Sequence, residues 1–143
     1  MRQMYVIFWS ASGNTEAMAN AIAEGGREAG AEVRLCQVSE MTPDEALGCD
    51  LLALGCPAMG DEVLEESEFE PFFTELEGKL SGKKVAIFGS YGWGDGQWMR
   101  DWQDRVTKAG ADLYRGEGLM INDAPDDDGL SQCKAFGSGF AAQ

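Results

Sequence analysis

The chain has 143 residues, enough for one domain, and its 44% hydrophobic residues are ordinary for a folded protein. Eleven Lys and Arg stand against 25 Asp and Glu, which gives a formal net charge of −14. Such a chain repels nucleic acid and anionic lipid, so we expect neither as a partner, and it is attracted to basic protein surfaces. Solubility alone is the other explanation of this charge.

Metal sites and export signals are not expected from this sequence. It contains no histidine, and its four cysteines are widely spaced, at Cys36, Cys49, Cys56 and Cys133. That pattern argues against zinc, an iron–sulfur cluster and a disulfide framework. The start, Met1-Arg2-Gln3, leads into an apolar run of about five residues, too short for a signal peptide or a membrane span. We therefore expect a cytoplasmic location.

Apolar runs of strand length alternate with helical patterns along the chain. Strands are predicted, in chain order, at Met4–Phe8, Glu32–Val38, Leu51–Gly55, Val85–Gly89 and Asp112–Ile121. Helices are predicted at Asn14–Ala29, from Thr42, and at Pro71–Leu80, Gln97–Ala109 and Leu130–Ala141. The run Asp126-Asp127-Asp128 is predicted to be a solvated loop before the last helix. This alternation predicts an α/β fold, a parallel sheet covered on both faces, in one domain spanning residues 1–143.

Three unusual segments follow the first, third and fourth strands, where ligands bind in open α/β sheets. The first joins a strand to a helix N-terminus and reads Ser10-Ala11-Ser12-Gly13-Asn14-Thr15. Free N–H groups at a helix start favour an anion, and the hydroxyl and amide side chains add donors. No lysine follows the glycine, so the segment suits a single terminal phosphate rather than a triphosphate. An ordinary helix cap is the alternative.

The second segment reads Cys56-Pro57-Ala58-Met59-Gly60-Asp61-Glu62. Gly60 reaches positive φ at little cost, so we predict a type II turn over Met59–Glu62 with a peptide that turns over easily. The third segment reads Ser90-Tyr91-Gly92-Trp93-Gly94-Asp95-Gly96. Two aromatic residues among three glycines favour a stacking platform for a flat ring. Its glycine spacing differs from the dinucleotide fingerprint and gives no support for NAD. Together, the three segments indicate a ligand with a phosphate at one end and an aromatic ring at the other.

In these segments the chain resembles flavodoxins, and specifically the short-chain flavodoxins of anaerobic bacteria. The first segment has Ala11 and Ser12 where the usual signature has Gly and Thr. The second and third match the short-chain pattern closely, and the region Asp112–Ile121 lacks the large insertion of the long-chain type. The resemblance spans the whole chain. It implies a flavodoxin-like three-layer sandwich whose five-stranded parallel sheet has the order 2-1-3-4-5, with bound flavin mononucleotide (FMN) at the switch between strands one and three.

The resemblance also implies residue roles and partners. Residues Ser10–Thr15 would hold the phosphate, and Met59 and Trp93 would flank the flavin ring. Gly60 would offer its carbonyl to flavin N5–H after one-electron reduction, and Glu62 would accept from N3–H. Other contacts would come from Pro57, Ala58, Asp61, Ser90, Tyr91, Gly92 and Gly94. The implied function is a low-potential one-electron carrier that shuttles between oxidised, neutral semiquinone and hydroquinone states. It would act as a monomer serving flavin reductases and iron–sulfur oxidoreductases with basic docking surfaces.

Other functions compete with this interpretation. A response-regulator receiver domain would need acidic residues after strand one, an Asp ending strand three and a Lys ending strand four, and here Ser10, Cys56 and Ser90 stand there. A small FMN-dependent reductase acting on a quinone or similar substrate would need a second pocket, and the short chain without histidine argues against one. A flavin-binding module without redox function leaves Gly60 unexplained.

The acids are concentrated in one stretch of the chain. No Lys or Arg lies between Arg34 and Lys79, whereas twelve Asp and Glu do. We expect an acidic collar around the flavin edge, built from Asp61, Glu62, Glu65, Glu66, Glu68 and Glu70.

Overall fold

The middle layer of the molecule is a parallel sheet, seen in a computed structural model that describes residues 2–143. Met1, which the sequence analysis includes in the domain, lies outside the described residues. The strands are β1 (Gln3–Phe8), β2 (Glu32–Gln37), β3 (Leu51–Gly55), β4 (Lys84–Tyr91), β5 (Asp112–Leu113) and β6 (Leu119–Asn122). Their order is β2-β1-β3-β4-β5, and β6 also pairs with β4. The expected order is therefore confirmed.

Helices cover both faces of the sheet. They are α1 (Asn14–Glu28), α2 (Pro43–Ala46), α3 (Phe69–Glu77), α4 (Gln97–Lys108) and α5 (Asp127–Ala141). One face packs α1 and α5 onto the strands through side chains such as Ile22 and Phe136. The other face packs α2, α3 and α4 through residues such as Phe73 and Trp102. Because helices bury both faces, β3 is apolar along its whole length.

Glycines set how closely the layers approach. A Cβ on Gly25 of α1 would lie 1.9 Å from the Lys134 carbonyl oxygen of α5, and one on Gly137 would lie 2.0 Å from that of Ile22. The two helices thus meet backbone to backbone. Gly55, at the end of β3, leaves room for the ring of Phe88, which a Cβ would approach to 2.3 Å. No helix within residues 2–143 is long and apolar enough to cross a membrane.

Several element boundaries differ from the predictions, and helix α3, predicted to end at Leu80, ends at Glu77. The fifth strand is interrupted between β5 and β6, where Arg115 adopts a φ of 65° that no strand residue takes. Strand β4 continues to Tyr91, so Ser90 and Tyr91 belong to the strand and not to the loop after it. Helix α3 begins at Phe69 and not at Pro71, because the Glu65 carboxylate accepts the Phe69 N–H and caps the helix.

The acidic run before the last helix was also predicted wrongly. Helix α5 begins at Asp127, and the Asp126 side chain caps it by accepting from the Gly129 N–H at 2.8 Å. Asp127 and Asp128 therefore occupy the first turn, where negative charge is favourable against the helix dipole.

Candidate functional site

The carboxyl ends of the parallel strands meet at one edge of the sheet, and a cleft of about 210 Å³ opens there. All three predicted segments contribute to it. The cleft is lined by Trp9, Ala11, Ser12, Asn14, Pro57, Ala58, Met59, Ser90, Tyr91, Gly92 and Asp123. Nine of these residues belong to the predicted set, whereas Trp9 and Asp123 do not.

The first segment, Ser10–Thr15, wraps around its own serine. The Ser10 hydroxyl oxygen accepts from the N–H groups of Gly13 and Glu16 at 3.2 and 3.3 Å. Gly13 stands before α1 with a φ of 95°, a conformation that favours glycine. Within the described part of the chain, the N–H groups of Ala11, Ser12 and Thr15 make no hydrogen bond. The start of α1 therefore presents free donors beside the cleft.

The first and third segments are joined by a pair of buried hydroxyls. Thr15 Oγ1 lies 3.1 Å from Ser90 Oγ, and the Ser90 N–H donates to Thr15 Oγ1 at 3.3 Å. Both residues are buried, with 1% and 5% of their surface exposed. The Ser90 carbonyl in turn accepts from the Ala58 N–H at 3.0 Å. Ser90 thus connects the three segments to one another by hydrogen bonds at the carboxyl edge of the sheet.

The second segment ends in a hairpin, not in the predicted type II turn. Met59 and Val63 exchange N–H to carbonyl hydrogen bonds of 2.9 and 3.0 Å, which leaves a three-residue loop between them. Gly60 has a φ of 48° and Glu62 a φ of 59°. A type II turn needs a φ near −60° at Gly60, so it is incompatible with this hairpin. Glu62 is a residue with a side chain held in a left-handed conformation, which stores backbone strain at the rim.

The Glu62 carboxylate spans the gap between the hairpin and α4. Its two oxygens accept from the N–H groups of Asp95 and Trp98, each at 3.3 Å. A Cβ on Gly94 would lie 2.0 Å from Glu62 Oε1, and Gly94 has a φ of 89°. A side chain at residue 94 would displace this carboxylate, and the positive φ there favours glycine. The predicted role of Glu62 toward a ring N–H remains a prediction, and a carboxylate with four acceptor positions retains capacity for it.

The third segment exposes one large aromatic side chain at its tip. Trp93 has 66% of its surface exposed, whereas Trp98 and Trp102 on α4 are 1% exposed. Tyr91, at the end of β4, packs against Trp98 with ring centroids 5.7 Å apart. Trp98 and Trp102 therefore belong to the core, and Trp93 offers an exposed aromatic surface.

A fourth segment, which is not among the three predicted ones, joins the rim after β6. The Asn122 side chain donates to the carbonyls of Tyr91 and Gly92, and Asp123 lines the cleft. The signal was present, because the predicted fifth strand ended at Ile121 and its carboxyl end belongs at the same edge. Trp9, the other missed residue, directly precedes Ser10 and donates from its indole N–H to Glu68 at 3.2 Å.

Glu65 anchors the hairpin to α3. Its buried carboxylate accepts from the N–H groups of Ser67, Glu68 and Phe69 at 2.8 to 2.9 Å, and from the Ser67 hydroxyl. Burial pushes the pKa of Glu65 upward, but these hydrogen bonds outweigh it and hold the pKa below its ordinary value. The Glu65 N–H also donates to Cys56 Sγ at 3.3 Å.

The acidic collar is consequently smaller on its α3 side than expected. Glu65 is buried, and Glu70 pairs with Arg105 at 2.8 Å. Asp61, Glu66 and Glu68 remain exposed, with Glu62 half-buried beside them. Beyond β6, exposed carboxylates are added by Asp123, Asp126, Asp127 and Asp128.

Comparison with known proteins places these features in a family. The model of the family described as "Flavodoxin" matches residues 6–137. A flavodoxin from Clostridium beijerinckii is 51% identical over 138 residues, covering 96% of this chain and 99% of that protein. One from Megasphaera elsdenii is 46% identical over 136 residues, covering 95% and 96%. The solution structure of two-electron reduced Megasphaera elsdenii flavodoxin superposes with a TM-score of 0.88 at 44% identity, covering 98% of this chain and 99% of that one.

The chain therefore belongs to the flavodoxin family. Flavodoxins are small electron carriers that bind FMN, and this chain is accordingly an FMN-binding electron-transfer flavoprotein rather than an enzyme. The reductase alternative finds no better support in these comparisons.

Proposed function

We propose that the rim cleft is the FMN site, with the phosphate at Ser10–Thr15 and the flavin ring between Met59 and Trp93. The convergence of three separate loops on one cleft carries this proposal. When bound, FMN supplies the one-electron chemistry of the carrier. The remaining contacts are assigned to Pro57, Ala58, Gly60, Asp61, Glu62, Ser90, Tyr91, Gly92 and Gly94. One domain spanning residues 1–143 would carry the whole site.

The first segment fits a phosphate without a cation. Three N–H groups without a partner in the described chain stand at the start of a 15-residue helix, whose dipole favours negative charge. Ser12 and Asn14, whose side chains carry a hydroxyl and an amide, line the cleft beside them. A phosphate would give these donors the acceptors that the protein itself lacks.

The ring would be bound by two apolar surfaces on different loops. Met59 is half-buried and lines the cleft, and Trp93 is mostly exposed in the next loop. The indole of Trp93 is mostly exposed to water in the described structure. A flavin ring stacked on it would remove much of this apolar surface from water. Gly60, in open space with positive φ, is assigned the carbonyl that faces ring atom N5.

Trp93→Ala tests the site. We expect FMN affinity to fall by about 1–3 kcal/mol through lost stacking, while the unfolding midpoint of the FMN-free protein stays nearly unchanged, because Trp93 is 66% exposed. Met120→Ala is the control, since Met120 is also exposed (37%) but lies within β6, outside the three segments. A Trp93 variant that loses stability without losing FMN affinity would contradict the stacking role.

We further propose that the exposed acids around the cleft dock redox proteins with basic surfaces, such as flavin reductases and iron–sulfur oxidoreductases. The carrier would work as a cytoplasmic monomer. Asp61, Glu66 and the carboxylates beyond β6 put negative charge beside the ring position, which speeds encounter with a cationic partner.

Salt and charge variants test this docking. With a cationic one-electron haem protein as probe, the electron-transfer rate constant should fall steeply between low and physiological ionic strength. The double variant Asp61→Asn/Glu66→Gln should weaken that dependence. Glu32→Gln/Asp112→Asn removes the same charge at the first residues of β2 and β5, and should have less effect. Equal effects of the two pairs would show that net charge, and not a docking surface, governs the rate.

A further inference from the structure

The amide side chain of Asn122, on the neighbouring strand β6, forms hydrogen bonds to the start of the loop that carries Trp93. Nδ2 of Asn122, the last residue of β6, donates to the carbonyl oxygens of Tyr91 and Gly92 at 3.1 Å each. The Asp123 N–H donates to the same Tyr91 oxygen at 2.7 Å. The chain then turns away at Asp123, whose φ is 57°. Three hydrogen bonds from Asn122 and Asp123, at the end of β6, therefore fix the start of the Trp93 loop, residues 92–96.

The register of the sheet explains why residue 122 holds this position. β6 runs parallel to β4 with Tyr91 opposite Asn122, so the side chain reaches just past the last residue of β4. An amide NH₂ has two donors and can serve two successive carbonyls. An aspartate there would place carboxylate oxygens against the two carbonyl oxygens. An alanine would leave the Gly92 carbonyl to water and the Tyr91 carbonyl with only the Asp123 N–H.

The far side of the loop has its own anchors. Arg100 Nη1 donates to the Asp95 carbonyl at 3.0 Å, and Glu62 accepts from the Asp95 N–H. Between the two sides, Trp93 and Gly94 form no hydrogen bond within residues 2–143. The position of Trp93 is thus determined by what holds the residues before and after it.

We propose that Asn122 is a positioning residue for the FMN site, which fixes the Tyr91 and Gly92 carbonyls and thereby orients Trp93 toward the ring. This inference rests on the proposed stacking role of Trp93. Without the two hydrogen bonds the loop samples more conformations, and FMN must order it on binding, which lowers affinity.

The test uses Asn122→Ala and Asn122→Asp, with Asn20→Ala and Asn20→Asp on the exposed face of α1 as matched controls. Amide exchange at Trp93 and Gly94 in the FMN-free protein should be about tenfold faster in Asn122→Ala. The FMN dissociation constant should rise about 5- to 10-fold, and more in Asn122→Asp, as expected for two lost neutral hydrogen bonds. The separation of the two one-electron potentials of bound FMN should change in the Asn122 variants. In both Asn20 variants, the amide exchange rates and the FMN dissociation constant should stay within twofold of the wild type.

A double-mutant cycle shows whether Asn122 acts through Trp93. In a Trp93→Ala background, Asn122→Ala should change FMN affinity less than about twofold. Additive effects, or unchanged exchange at Trp93 and Gly94, would overturn the proposal. If Trp93→Ala weakens FMN binding and Asn122→Ala does not, the Asn122 proposal alone fails. If Trp93→Ala has no effect on FMN affinity, the proposed stacking role is wrong. The proposal that Asn122 supports FMN binding by orienting Trp93 is then wrong as well.

Discussion

The two ends of the cleft are built in different ways. At the phosphate end, the serine hydroxyls of Ser10–Thr15 bond to N–H groups two to six residues away. At the ring end, Glu62 reaches Asp95 and Trp98 across 33 and 36 residues, and Asn122 reaches Tyr91 across 31. Apart from the Thr15–Ser90 contact at its end, the first loop is thus specified by its own sequence, and the ring loops are specified by the assembled fold.

Backbone strain follows the same division. The first loop contains one positive φ, at Gly13, where glycine accepts it without cost. The ring end contains positive φ at Gly60, Glu62, Gly94, Gly96 and Asp123. Two of these residues carry side chains, and such conformations persist only where the surroundings impose them. The ring end should therefore be the part of the site that mutations disturb most.

Gly94→Ala should produce the largest effect. Its Cβ would overlap Glu62 Oε1 at 2.0 Å, and its φ of 89° is unfavourable for alanine. We expect the free energy of unfolding to fall by about 2–4 kcal/mol, because the strain adds to the loss of the Glu62 contacts at α4. Urea unfolding of the FMN-free protein measures it. In Gly92→Ala the nearest atom is 3.6 Å away, so a comparable loss there would contradict this explanation.

Glu65→Gln should destabilise the protein by about 1–3 kcal/mol, because three backbone N–H groups lose a carboxylate acceptor. The folded-state pKa of Glu65 is lowered, so its stabilisation is present above the unfolded-state pKa and is lost as pH falls through the folded value. The difference from wild type should be full above about pH 5 and should shrink in more acidic solution. Unfolding midpoints between pH 7 and pH 3 measure it.

Glu66→Gln is the control for that experiment. Glu66 is the exposed neighbour of Glu65, and a surface substitution of this kind changes stability by less than about 0.5 kcal/mol. If both variants lose equal stability, or if the Glu65 difference grows in acid, the capping role of Glu65 is wrong.

Gly60→Thr should leave FMN bound but lower the first one-electron potential by about 40–90 mV. In the proposed assignment, the Gly60 peptide turns its carbonyl toward N5 only after one-electron reduction. A residue with a side chain loses about 1–2 kcal/mol at the positive φ of that state, and that energy corresponds to this shift for one electron. Space is not the cause, because nothing lies within 4 Å of the added Cβ. Gly82→Thr has equal open space and a φ of 77° at a turn remote from the cleft, so it should cost stability without moving the potential.

These differences explain which features the sequence predicts. The alternation of strands and helices and the first loop follow from apolar runs and from a serine-rich helix start, which are local patterns, whereas the strand order was implied by the family resemblance. The hairpin at Met59–Val63 was missed because its shape depends on Glu62 reaching α4. The early start of α3 depends on the Glu65 cap, and the Asn122 contact depends on β6 pairing beside β4. No local pattern records such contacts between distant residues.

Calorimetric titration of the FMN-free protein with FMN and with riboflavin tests the central claim most directly, because the two ligands differ only in the phosphate. We predict one FMN per chain, bound at least about 100-fold more tightly than riboflavin, since the phosphate accepts from the free N–H groups of Ala11, Ser12 and Thr15 and each hydrogen bond to a charged group contributes about 1.5–3 kcal/mol. Equal affinities would show that Ser10–Thr15 only caps α1 and does not bind the phosphate.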